Sequence, residues 1–138
     1  MRWLARREYA RAELQRRLHG KGYSDAAIET TLERLLELDL QSDQRFTESY
    51  IRARSVRGYG PLRIRAELGE RGIGREMIAA MLDLNDEHWQ QRATDALMKR
   101  YPEPPPDRRE RARREQFLRY RGFVQQQVSR AMAQYSDS

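Results

Sequence analysis

When the 138-residue chain is slid along itself by fifty residues, three segments align without a gap. They are RAELQRRLHGKGYSDAAIETTL from Arg11, PLRIRAELGERGIGREMIAAML from Pro61 and RARREQFLRYRGFVQQQVSRAM from Arg111. Leu18, Leu68 and Leu118 coincide, and so do Gly22, Gly72 and Gly122. Each glycine follows a cation (Lys21, Arg71 or Arg121) and precedes Tyr23, Ile73 or Phe123. Ile28, Ile78 and Val128 coincide next, then Leu32, Leu82 and Met132. A gapless period of this kind restricts the chain to a repeat architecture. The three leucines are expected in helix cores, and the three glycines are expected to end helices in the left-handed conformation.

The local pattern is helical throughout, and no β-alternation survives inspection. Leu14 and Leu18 make the first inner stripe. Ser24 is placed to cap a helix carrying Ala27, Ile28, Leu32, Leu35 and Leu36. Ser42 and Asp43 start another, with Phe46, Tyr50 and Ala53 on one face. Gly58 and Gly60 suit a tight turn, and Pro61 suits the first turn of a helix because its missing N–H costs nothing there. Ile64 and Leu68 then share a face, with Leu62 and Ala66 on the reverse side for a neighbouring repeat or a partner. Asp86 is placed to cap the helix holding Trp89, Ala93, Leu97 and Tyr101. YPEPPP, residues 101–106, favours a semi-rigid polyproline spacer of about 3.1 Å per residue, expected to hold the last repeat at a distance. Asp107 and Glu110 have capping-box spacing. Glu110–Arg114 and Arg111–Glu115 are i,i+4 pairs in a run that reads as a solvated face.

The expected fold is therefore all-α: an elongated tandem array of three three-helix repeats, about nine helices in all. Its units are residues 1–42, 43–85 and 86–138. The leading helix of the first unit, with Trp3 and Leu4, is expected to be cut short. Hydrophobic content of 38% against 35% charged suits small cores along a solvated body better than one large core.

Composition narrows the function. The net charge is +6 and the pI about 10.0, which permits nucleic acid or an acidic protein surface as partner. The charge is spread along the chain: eight basic against seven acidic side chains in 1–42, eight against six in 43–85, and eleven against eight in 86–138. Arginine supplies nearly all of it, which favours forked contacts to carboxylate or phosphate. There is no cysteine, hence no disulfide and no cysteine zinc site. No apolar run suits a membrane span or a signal peptide, so the chain reads as cytoplasmic. His19 and His88 lack metal-ligand spacing, the serines lack a nucleophile elbow, and no Walker loop is present. No enzyme, cofactor or metal is expected.

The candidate contact residues are arginines and tyrosines around the second and third glycines: Arg57, Tyr59, Arg63, Arg65, Arg71, Arg119, Tyr120 and Arg121. Arginine and tyrosine are the residue types that dominate contact hot spots, and Tyr59 lies on a turn. The same residues also read as a solvated helix with one packed tyrosine. The cations before the glycines also suit the negative end of a helix dipole.

RGYGPLRIRAEL, with DQRFTESYIRARS before it, QFLRYRGF near the end and RAEL at Arg11, resembles the RecX family over nearly the whole chain. The resemblance implies an all-α array of three-helix repeats that regulates the RecA recombinase without catalysis. It implies binding in the groove of the RecA–DNA filament, inhibition of ATPase, strand exchange and coprotease activity, and a bearing on recombination and the SOS response. It also allows direct contact with single- or double-stranded DNA. A three-unit array, expected to be monomeric, suits a long repetitive groove, because several weak contacts act together. The other open reading is a helical module that binds nucleic acid directly through its phosphate backbone.

Overall fold

The computed structural model describes residues 7–135. They form eight α-helices and, among the described residues, no strand. The helices are α1 (Arg11–Gly20), α2 (Asp25–Glu37), α3 (Asp43–Val56), α4 (Pro61–Glu70), α5 (Arg75–Met81), α6 (Glu87–Arg100), α7 (Arg108–Arg121) and α8 (Gln125–Ala133). The short leading helix expected around Trp3 and Leu4 lies outside the described residues.

The fifty-residue period is realised atom for atom at the helix ends. The N–H groups of Tyr23, Ile73 and Phe123 donate to the carbonyls of Leu18, Leu68 and Leu118 at 3.3, 3.1 and 3.2 Å. The N–H groups of Gly22, Gly72 and Gly122 donate to the carbonyls of His19, Gly69 and Arg119 at 3.0, 3.1 and 3.0 Å. The three glycines have φ of 89°, 87° and 101°, where a Cβ is strained. Each leucine is buried. The next helix then opens with Ile28, Ile78 or Val128, also buried.

Side-chain caps fix the starts. Ser24 Oγ accepts from Ala27 N at 3.2 Å and Ser42 Oγ from Arg45 N at 3.1 Å. Asp86 and Asp107 accept from His88 N and Glu110 N at 3.0 and 2.8 Å. The Asp107 box is half-formed, because the Glu110 carboxylate turns to Arg114 instead. The backbone N–H of His88, then its ring, hold the Asp86 carboxyl below its ordinary value.

The chain divides into two compact units, residues 1–50 with 67–81, and 51–66 with 82–138. The first unit buries Tyr9, Leu14, Leu18, Ile28, Leu32 and Leu35 as one cluster. In the second, α6 packs chiefly on α8 and also on α7. Trp89, Ala93, Leu97, Val128, Ala131 and Met132 are buried there. Trp89 Nε1 donates to Asp83 O at 3.0 Å, so its polar edge is satisfied. Gln127 is buried with its donor on Leu84 O and its acceptor on Val124 N, both at 2.9 Å.

Three expectations need correcting. The proline stretch does not stand the following helices off. Tyr101 O accepts from the Tyr135 hydroxyl at 2.7 Å, and the Tyr101 ring meets Phe117 edge-on at 5.6 Å. Those anchors let α7 and α8 fold back on α6. Second, Arg114 is no solvated residue. It occupies the register position of Leu14 and Ile64 and is 6% exposed. Its guanidinium donates to Glu103 O, pairs with Glu110 at 3.3 Å and lies over the Tyr101 and Tyr135 rings at 4.8 and 5.4 Å. Third, Ala27, Leu36 and Ala53 are exposed; α3 buries Phe46 and Thr47 in its first half and Ser55 in its second. Its two halves belong to different units, so one helical face does not serve both. On the reverse side of α4, Leu62 is half-buried and Ala66 is exposed.

Leu68 is fully buried. Leu68→Ala should therefore cost about 2–5 kcal/mol, read as a lower urea midpoint with an unchanged slope.

Candidate interaction site

A backbone crossing in the second unit builds the site. Gly60 N donates to Arg121 O at 2.7 Å, and Leu62 N donates to Gly122 O at 2.9 Å. The turn before α4 thus lies on the turn after α7. A Cβ on Gly60 would sit 2.5 Å from Gly122 C and Phe123 N. A Cβ on Gly122 would sit 2.5 Å from Arg63 Cβ. Gly60 is therefore needed for close approach, not for the turn conformation that its spacing suggested. Gly58 supplies that, with φ 89°.

The crossing gathers arginines and tyrosines from distant parts of the chain. The guanidiniums of Arg54, Arg63 and Arg121 lie 3.8, 4.5 and 5.0 Å from the centre of the Tyr59 ring. Arg63 also lies 5.3 Å from the Tyr120 ring and donates to Tyr120 O at 3.5 Å. Arg121 donates to Arg57 O at 3.2 Å. Cations favour the negative face of an aromatic ring, at about 0.5–1 kcal/mol where exposed. Tyr120 remains 73% exposed, and Arg57, Arg65 and Arg119 are exposed too. Arg119 is held by Gln125 at 2.9 Å and Glu115 at 3.4 Å.

Seven of the eight sequence candidates thus belong to the second unit, and Arg57, Tyr59, Arg63, Tyr120 and Arg121 are directly linked there. Arg54 joins them although the sequence did not single it out. Its signal was the five-residue step to Tyr59 across a glycine turn, which brings its guanidinium onto the ring. Arg71 belongs to the first unit. It pairs with Glu13 at 2.7 Å and lies 5.0 Å from the Tyr50 ring. Burial opposes its charge, but Tyr50 and Glu13 outweigh that and raise its pKa. The Tyr50 hydroxyl donates to Glu67 at 3.0 Å. Burial first, then that hydrogen bond, raises its pKa above the ordinary tyrosine value. Among the described residues no cluster of metal-ligating side chains occurs, and no helix is long and apolar enough to cross a membrane.

Fold and site together define a tandem three-helix repeat protein that presents an arginine–tyrosine surface. Comparison with known proteins places it further. Family models for the first, second and third three-helix domains of RecX match residues 1–35, 42–82 and 86–132. A "Regulatory protein RecX" of Chromohalobacter salexigens is 46% identical over 133 residues, covering 96% of this chain and 88% of that one. The protein of the same name from Pseudomonas putida is 44% identical over 131 residues, covering 94% and 84%. The crystal structure of RecX from Lactobacillus salivarius matches with a TM-score of 0.82 at 22% identity, covering 99% of this chain and 92% of that one. A second crystal structure, of regulatory protein RecX, matches with a TM-score of 0.78 at 23% identity, covering 99% and 67%. At such identities the structures speak for the fold alone, an all-α array of tandem repeats. The chain belongs to the RecX family of regulatory proteins.

Gly60→Ala should lower stability by about 1–3 kcal/mol, because backbone must move to admit the methyl group. Gly69→Ala, with nothing within 4 Å of its added Cβ, should instead raise it by about 0.5–1 kcal/mol. Thermal melts of the two variants separate close approach from helix propensity. Tyrosine ionises near 10 in an unfolded chain. The raised Tyr50 value therefore adds stability that is complete below that pH and is lost as pH rises through the folded value. Tyr50→Phe should flatten the alkaline limb of a stability–pH curve relative to the native protein.

Proposed function

We propose that this chain is a non-enzymatic regulator of the RecA recombinase, acting in the cytoplasm as a monomer. It lodges in the helical groove of the RecA–DNA filament and restrains ATPase, strand exchange and coprotease activity, and with them recombination and the SOS response. The observation that carries this reading is the arginine–tyrosine cluster, held by the Gly60–Gly122 crossing in a chain whose relatives are regulatory proteins. Tyr120, Arg57, Arg65 and Arg119 supply exposed aromatic and forked cationic groups. Arg63 and Arg121 fix the rings between them, and Arg71 adds a further contact. Arginine forks suit acidic groove residues and DNA phosphates. Repetition along the chain lets several weak contacts engage successive protomers. A body lodged there blocks incoming duplex or holds protomers away from the geometry of ATP hydrolysis, and neither effect needs a catalytic residue.

RecA's DNA-dependent ATPase, measured against rising concentrations of this protein, should fall. No inhibition at several-fold excess would overturn the reading. Arg63→Glu with Arg65→Glu should weaken inhibition while the helical circular-dichroism signal persists. A mobility shift without RecA tests the direct nucleic-acid reading. Binding to phosphate alone fades steeply with salt, whereas selective binding that survives high salt would favour a DNA-binding module.

A further inference from the structure

The second unit contains a cleft of about 340 Å³ that the arginine–tyrosine surface does not account for. Five cations line it: Arg57, Arg92, Lys99, Arg100 and Arg121. No acidic side chain lines it, and among the described residues no carboxylate pairs with Arg57, Arg92, Lys99 or Arg100. Asp95, on α6 between Arg92 and Lys99, stays outside the lining and accepts from Gln91 at 2.8 Å. Five like charges around one small volume repel each other unless an anion joins them.

A second, independent observation points the same way. Ser55 also lines the cleft and is 4% exposed. Its Oγ is a buried polar atom with no hydrogen-bond partner, the only one among the described residues. Buried hydroxyls are normally satisfied, because leaving one unmade costs about 1–3 kcal/mol. Serine hydroxyls in helices commonly bond back to a carbonyl one turn earlier, and Thr47 in the same helix does so at 2.7 Å. Ser55 keeps its donor unspent, and turning it toward a ligand in the cleft takes a change of staggered rotamer.

We propose that this cleft binds a nucleoside polyphosphate, with the phosphate chain among the five cations and Ser55 Oγ donating to a phosphate oxygen. The charge density selects the ligand. A phosphodiester strand brings one negative charge per nucleotide and strings its charges out along its length, whereas a polyphosphate concentrates several on adjoining groups, about −2 on a terminal phosphate alone. Phe117 lines the cleft as its one aromatic residue and offers the nucleoside an apolar surface. The volume lies in the range usual for small-molecule sites. The walls are set by the fold: a Cβ on Gly58 would lie 3.7 Å from Ala96 Cβ and 3.3 Å from Arg121 Nη1. The inference stands apart from the RecA reading, although Arg57 and Arg121 serve both.

Calorimetric titration of the full chain at physiological salt, with ATP, inorganic tripolyphosphate and a fifteen-residue oligothymidylate as separate probes, tests it. ATP should bind saturably at one site, and more tightly than tripolyphosphate. Arg92→Glu with Lys99→Glu, neither of which belongs to the filament surface, should weaken ATP at least tenfold. Arg109→Glu with Arg113→Glu, the same charge change on exposed residues of α7 that do not line the cleft, should alter it less than twofold. Ser55→Ala should weaken ATP several-fold with the helical signal unchanged. Absence of saturable ATP binding, or equal losses in the two double variants, would overturn the site. Tripolyphosphate binding as tightly as ATP would overturn the nucleoside assignment. Tighter binding of the oligonucleotide, lost in Arg92→Glu with Lys99→Glu, would make the cleft a strand groove instead.

Discussion

Two glycine backbones pressed together govern the geometry of the second unit. Gly60 and Gly122 approach closely enough for N–H groups at Gly60 and Leu62 to reach the carbonyls of Arg121 and Gly122. The crossing satisfies turn groups that would otherwise need water, and it fixes where the neighbouring side chains emerge. Tyr59 precedes one glycine and Arg121 the other, so joining the glycines brings the ring and the guanidinium together. The arginine–tyrosine cluster is thus a product of main-chain approach. The attraction of cations for rings, being small and partly exposed, could not have assembled it alone.

The parts of the fold that were legible in the sequence are those fixed by short-range rules. A glycine one turn beyond a buried leucine ends a helix the same way at residues 22, 72 and 122, because the left-handed cap and its hydrogen bonds lie within six residues. Ser24, Ser42, Asp86 and Asp107 could be read as caps for the same reason. What escaped depends on partners distant in the chain. Gly60 looked like a turn residue because nothing nearby shows that Gly122 comes to meet it. Ala53 is exposed and Ser55 buried because the buried stripe of α3 shifts between its two halves. The proline stretch looked like a spacer because polyproline stiffness is local, whereas its anchors, Tyr135 and Phe117, come later. The candidate contact residues were recognised by type, but their grouping depends on the crossing.

The two candidate surfaces of the second unit differ in chemistry. Around Tyr59 and Tyr120, arginines are held by ring faces and carbonyl oxygens, which leaves broad, forked cationic groups suited to a macromolecular partner. In the cleft lined by Arg92 and Lys99, cations face one another with no acidic side chain in the lining, which suits a compact anion. Arg121 borders both, since its guanidinium lies within 5.1 Å of Phe117 as well as near Tyr59. Occupancy on one side therefore bears on the electrostatics of the other.

Tandem copies of one motif carry a hazard: a segment from one copy can dock where its sibling belongs. Arg114 sets the final copy apart in this respect. Where the earlier copies place Leu14 and Ile64, the final copy inserts a permanent cation that only Glu110, a carbonyl from the proline stretch and two tyrosine rings accommodate. A leucine or isoleucine there would strand those polar acceptors, and the arginine would be equally misplaced in either aliphatic socket. The mismatch gives the third repeat a socket chemically unlike those of the other two.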